Sequence, residues 1–145
     1  MTLLNAQPDA MKHLLTEAQA IAVVGMSDDT RRASYQIGMF LKQVGYTVYP
    51  VNPTLHQIDD LAVYHSLEDV PGPIDIVNVF RRSEYLHGVV EDAIRVGAKS
   101  VWAQLGVHDD TAIRRATEAK LPIITDLCIK VEYWRLNVQR PAPLD

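Results

Sequence analysis

Short, almost wholly apolar runs recur along this chain, and each is separated from the next by a segment with apolar residues at helical spacing. The runs are Ile21–Val24, Tyr46–Val51, Ile74–Phe80, Ser100–Gln104 and Pro122–Thr125, with a shorter one near Ala62–Tyr64. A strand buried on both faces has no polar side to show, so continuous apolar runs point to a parallel sheet covered by helices. The segments between them supply those helices. Tyr35–Val44 carries Ile37, Phe40, Leu41 and Val44 on one face and stops at Gly45; Ser83–Val96 carries Leu86, Val89, Val90 and Ile94 and stops at Gly97. Asp109 or Asp110 caps a helix running to Lys120, Val131–Leu136 reads as helical, and Asn5–Gln19 reads as a helix ahead of the first strand. Ser66-Leu67-Glu68-Asp69 has capping-box spacing and predicts one helical turn. Because parallel crossovers are right-handed, the expected fold is α/β: a Rossmann-like, doubly wound, mostly parallel sheet of five or six strands with helices on both faces.

The 145 residues suffice for one domain, expected over 1–138, with 139–145 as an extended proline-containing tail. The net charge of −4 argues against a nucleic-acid partner, so any basic site must be local. No apolar run approaches ~20 residues, so no membrane span is expected. The N-terminal stretch lacks the pattern of a secretory signal, and the single cysteine, Cys128, suits a reducing compartment; a cytoplasmic protein is the expectation.

In a doubly wound sheet the ligand lies beyond the carboxyl ends of the strands. The first such turn, Gly25 to Tyr35, offers a glycine for a tight turn, hydroxyls at Ser27, Thr30 and Ser34, guanidinium groups at Arg31 and Arg32, and free N–H groups where the next helix starts. A plain loop with Ser34 as N-cap is the competing reading. The second strand ends in Pro50-Val51-Asn52-Pro53, where a site for free ribose hydroxyls would place an acid. No carboxylate occurs from Thr30 through Ile58, which favours a ligand with an extra ribose phosphate, such as NADP or coenzyme A. The third turn brings Phe80, able to cover a flat ring, and Arg81, able to bind phosphate or carbonyl; Arg82 is read as a surface charge. In the fourth, alternation places Trp102 and Gln104 on one face, where the amide of Gln104 can read a ligand amide or satisfy loop backbone.

The pieces VVGMS (23–27), RRASY (31–35), GYTVYPVNP (45–53), DIVNVFRR (75–82), VWAQLGV (101–107) and DLCIKVE (126–132) occur in order at strand ends across nearly the whole chain. Together they resemble the small stand-alone CoA-binding proteins, whose fold is like the N-terminal CoA-binding domain of the succinyl-CoA synthetase alpha subunit. The resemblance implies that coenzyme A or a short acyl-CoA is the bound cofactor. It implies that Gly25, Met26, Ser27 and Thr30 line the first loop, with Arg32, Ser34 and Tyr35 at the helix start. Pro50 and Asn52 would lie near the adenosine, and Phe80, Arg81, Trp102 and Gln104 beside the pantetheine arm. The synthetase has a lysine where Asn52 falls, so the phosphate contact must come from elsewhere, with Arg32 as candidate. Its phosphohistidine and second domain have no counterpart here, so the resemblance implies binding and not catalysis.

The residues themselves show no catalytic constellation. The five histidines are scattered without metal-ligand spacing. Cys128 reads as a small buried filler, or alternatively as a thiol near that of the ligand. Asp109 and Asp110 read as helix-start charges, and Val131, Tyr133, Trp134 and Leu136 as packing. Two other readings stand beside CoA binding without catalysis: an NADP-dependent oxidoreductase, and a non-catalytic subunit of an acyl-CoA synthetase-like complex. No protein partner is identifiable from the residues.

Overall fold

The computed structural model describes residues 2–140. Of the expected tail, Gln139 and Arg140 fall within that range and 141–145 lie outside it. The described residues form seven strands and five α-helices in the order α1 (Pro8–Glu17), β1 (Ala20–Val24), α2 (Ala33–Gln43), β2 (Thr47–Val51), β3 (Gln57–Ile58), β4 (Leu61–Ala62), β5 (Ile76–Val79), α3 (Leu86–Val96), β6 (Val101–Ala103), α4 (Asp110–Glu118), β7 (Ile123–Ile124) and α5 (Ile129–Arg135). Five strands form one parallel sheet in the order β2-β1-β5-β6-β7, as the alternating runs predict. The sixth run resolves into an antiparallel hairpin of β3 and β4, whose two-residue loop holds Asp59 at φ 51°.

Strand alternation divides the core into two layers. Ile21, Val23, Ile76, Trp102 and Ile124 face α1, α2 and α5, meeting Met11, Leu15, Leu41 and Ile129. Ala22, Val24, Val77, Val79 and Val101 face α3 and α4, meeting Leu86, Val90, Ala93, Ala112 and Ala116. Each outer edge of the sheet is met by a flanking segment through one bridge, which shortens the pairing template left open. Leu3 bridges Ile123 beside β7, and Tyr64 bridges Val51 beside β2.

The N-terminal helix is shorter than Asn5–Gln19. Leu3 and Leu4 run along β7, and Asn5 uses both ends of its amide on the Thr125 backbone, so the helix opens at Pro8. Asp109 caps α4 by accepting from the Ala112 N–H at 2.9 Å. Ser66 precedes a 3₁₀ turn, as its spacing predicts, but its hydroxyl donates to the Asp69 carboxylate and makes no cap. Packing explains only part of α5: Tyr133 is buried, while Val131 and Trp134 stand exposed. Arg140 donates to the carbonyls of Thr16 and Ala18, closing the end of α1, with its guanidinium 3.8 Å above the Tyr46 ring.

Candidate functional site

The chain leaves β1 toward β2 on one side and later returns to β5 on the other. The carboxyl ends of β1 and β5 therefore diverge and leave a crevice between their crossovers. Gly25 turns the chain off β1 at φ 86°, its N–H donating to Val51 O at 2.8 Å. Phe80 follows β5 with its N–H on Val24 O at 2.8 Å, so the two turns lie side by side.

The loop from Gly25 to α2 is braced from within. The Ser27 N–H donates to Ser34 Oγ at 3.0 Å, and the Asp29 N–H donates to Ser27 Oγ at 2.9 Å. Ser34 is thus no N-cap: it lies in the first turn of α2, buried, and holds the loop against the helix. Asn52 supports the loop from β2, donating to Met26 O at 3.0 Å while its own oxygen accepts from Thr54.

The acid-free stretch from Thr30 to Ile58 is not acid-free in space, because the aspartates just beyond each end fold back on it. Arg31 forms a two-point pair with Asp29 at 3.0 and 3.1 Å, and this bond holds the Asp29 carboxyl below its ordinary range. Lys42 pairs with Asp60 at 2.7 Å. The Tyr35 hydroxyl donates to Asp59, which raises the phenol above its ordinary value. Among the described residues Arg32 makes no ion pair, and it borders the crevice with Gly25, Ser27, Ala33, Ser34 and Phe80.

Three adjoining cavities occupy the crevice. The outer one, of about 490 Å³, is bounded by Gly25, Asn52, Pro53, His65, Arg81 and Asp92, among others. The middle one, of about 400 Å³, is the space beside Arg32 at the start of α2. The inner one, of about 520 Å³, runs between Ala33, Ile37, Arg81, Gln104, Val107 and Cys128. Phe80 borders all three, and each pair shares one further residue (Gly25, Ala33 or Arg81), so they meet around its ring as one groove.

Of the residues expected at a ligand, the structure gathers Gly25, Ser27, Arg32, Ser34, Asn52, Phe80, Arg81 and Gln104 along this groove. The others lie elsewhere. Trp102 is fully buried in the layer under α1, α2 and α5, and its indole N–H donates to Leu127 O at 2.8 Å. Alternation sets its face, but α5 and the loop before it cover that face. The Met26 side chain is buried against Gly38, Pro50 is buried within β2, Thr30 is exposed off the groove, and Tyr35 is turned to Asp59. Arg82 pairs with Glu84 at 3.0 Å on the surface, as expected. Cys128 is half-buried: it packs against the core layer under α1, α2 and α5 and also lines the inner cavity. Sequence reading missed His65 and Asp92, which reach the outer cavity from segments that carry no strand-end signal.

Fold and groove together define a doubly wound α/β protein with an elongated crevice at its switch point. A model of the CoA binding domain family matches residues 19–134, and the chain belongs to that family. It is 40% identical over 129 residues to the uncharacterized protein YneT of Bacillus subtilis, covering 89% of this chain and 96% of that one. A hypothetical protein from Pyrococcus horikoshii superposes with a TM-score of 0.87 at 34% identity, over 90% of this chain and 92% of that chain. The alpha subunit of an ADP-forming acetate–CoA ligase II from Pyrococcus furiosus is 27% identical over 84 residues, spanning 57% of this chain but only 18% of that protein. No helix among the described residues is long and apolar enough to cross a membrane.

Proposed function

We propose that this chain binds coenzyme A along the groove and holds it without transforming it. One observation carries the reading: three cavities meet around Phe80, and the one between Gly25 and Ala33 presents Arg32 and the start of α2. Coenzyme A carries a diphosphate between its nucleoside and its pantetheine arm and a further phosphate on the adjoining ribose, and a helix N-terminus with a guanidinium group suits that cluster of charge. The adenine then takes the outer cavity against Asn52 and Pro53. The pantetheine arm passes Phe80 and Arg81 into the inner cavity. Family membership supports the same ligand.

Calorimetric titration with coenzyme A, dephospho-CoA and NADP tests this. Coenzyme A is expected to bind best, with dephospho-CoA about tenfold weaker for loss of the charge-assisted contact between the ribose phosphate and Arg32. Absence of coenzyme A binding at millimolar concentration overturns the proposal, and tighter NADP binding would favour an oxidoreductase. The match to a ligase alpha subunit favours a second reading, in which the chain serves a larger synthetase-like partner. Co-purification of a longer chain carrying an ATP-grasp pattern would support it.

A further inference from the structure

The inner cavity contains an amide whose orientation is forced. Gln104 is only 5% exposed, and its Oε1 accepts from the Ile129 N–H at 3.2 Å and from Asn78 Nδ2 at 3.3 Å. Turning the Gln104 amide over would set its NH₂ against two donors. Asn78 is held in turn. It is fully buried in the middle of the sheet, and its Nδ2 also donates to Trp102 O at 3.2 Å. Reversing Asn78 would set its oxygen against that carbonyl. The Gln104 NH₂ is therefore directed away from both neighbours, on the side of the cavity it lines, and among the described residues it donates no hydrogen bond. Those amide hydrogens suit a carbonyl oxygen on whatever fills the cavity.

Place and lining say which carbonyl. The inner cavity meets the middle one at Ala33 and Phe80, and Gln104 and Cys128 belong to the inner cavity alone. Its walls include Ile37, Leu105 and Val107. The arginines at its mouth are engaged, Arg81 above the Tyr85 ring and Arg82 with Glu84. We infer that the inner cavity is a subsite for a short, uncharged acyl group: Gln104 reads the thioester carbonyl, and Asn78 is the positioning residue that aims it. This rests on the coenzyme A reading and names the form of the ligand that the chain prefers.

The test compares acetyl-CoA with S-ethyl-CoA, a thioether differing only in lacking the carbonyl, alongside coenzyme A and succinyl-CoA, by calorimetry on the full chain. Acetyl-CoA should bind roughly three- to tenfold tighter than S-ethyl-CoA, the effect of one hydrogen bond. Succinyl-CoA should gain nothing over acetyl-CoA. Gln104→Met should bring the thioester-to-thioether ratio to about one. Asn78→Val should do the same while Asn78→Ser, which keeps a donor, retains part of it; a ratio is indifferent to general loss of stability. If Asn78→Val does not fold, the wild-type ratio and Gln104→Met decide. Equal affinities for the two ligands in the wild type overturn the acyl subsite while leaving coenzyme A binding intact. Failure of all four ligands to bind overturns the coenzyme A reading itself.

Discussion

A Cβ atom placed on Gly25 would lie 2.5 Å from the carbonyl oxygen of Phe80. The two strand ends can sit together only because position 25 has no side chain, and the left-handed φ there excludes most other residues as well. The Phe80 carbonyl is backbone held by β5, so it cannot swing away. Gly25→Ala is expected to cost about 1–3 kcal/mol in urea unfolding. It should also pry the groove open at Phe80 and abolish ligand binding in variant protein that still folds.

Arg31 and Arg32 are neighbours in sequence with different roles in space. Arg31 is spent on Asp29, whereas Arg32 faces the middle cavity. Arg32→Ala should weaken coenzyme A binding about tenfold, the scale of one charge-assisted hydrogen bond. Arg31→Ala should change it less than about twofold. Equal losses in a calorimetric titration would contradict this division.

Trp102 serves the core and not the groove. Trp102→Phe removes the donor to Leu127 O and leaves space under α5. A loss of about 2–3 kcal/mol in stability is expected, with little change in ligand affinity measured under native conditions.

Asp75 ties the start of β1 to β5. Its carboxylate accepts the backbone N–H groups of Gln19 and Ala20 at 2.8 and 2.9 Å and pairs with Lys99 at 3.3 Å. Burial pushes this carboxyl up, but the two N–H donors and Lys99 outweigh it and hold the group below its ordinary value. A carboxyl with a lowered folded-state pKa contributes stability that is fully present above its unfolded value of about 3.9 and is lost as pH falls through the folded value. Asp75→Asn should therefore destabilise by about 1–2 kcal/mol at pH 7. The gap from wild type should shrink below about pH 4, as urea unfolding at both pH values would reveal.

Local pattern in the residues was enough for the five parallel strands, the four helices after β1 to within a few residues at their ends, and the places where a ligand could enter. A side chain's face on a strand or helix follows from the 2.0 or 3.6 repeat of its own segment, and a glycine's freedom belongs to its own backbone. The β3–β4 hairpin escaped because two-residue strands carry no period to read. What stands opposite each face depended on strand order and crossovers. Asp59 and Asp60 lie beyond the acid-free stretch in sequence, yet the hairpin brings them to Tyr35 and Lys42. Trp102 and Gln104 share a face, yet the chain from Leu127 to Ile129 buries the first and pins only the oxygen of the second. Such contacts join residues 18 to 25 positions apart, and only closing the sheet and packing α5 upon it sets which groups meet and which amide hydrogens are left for a ligand.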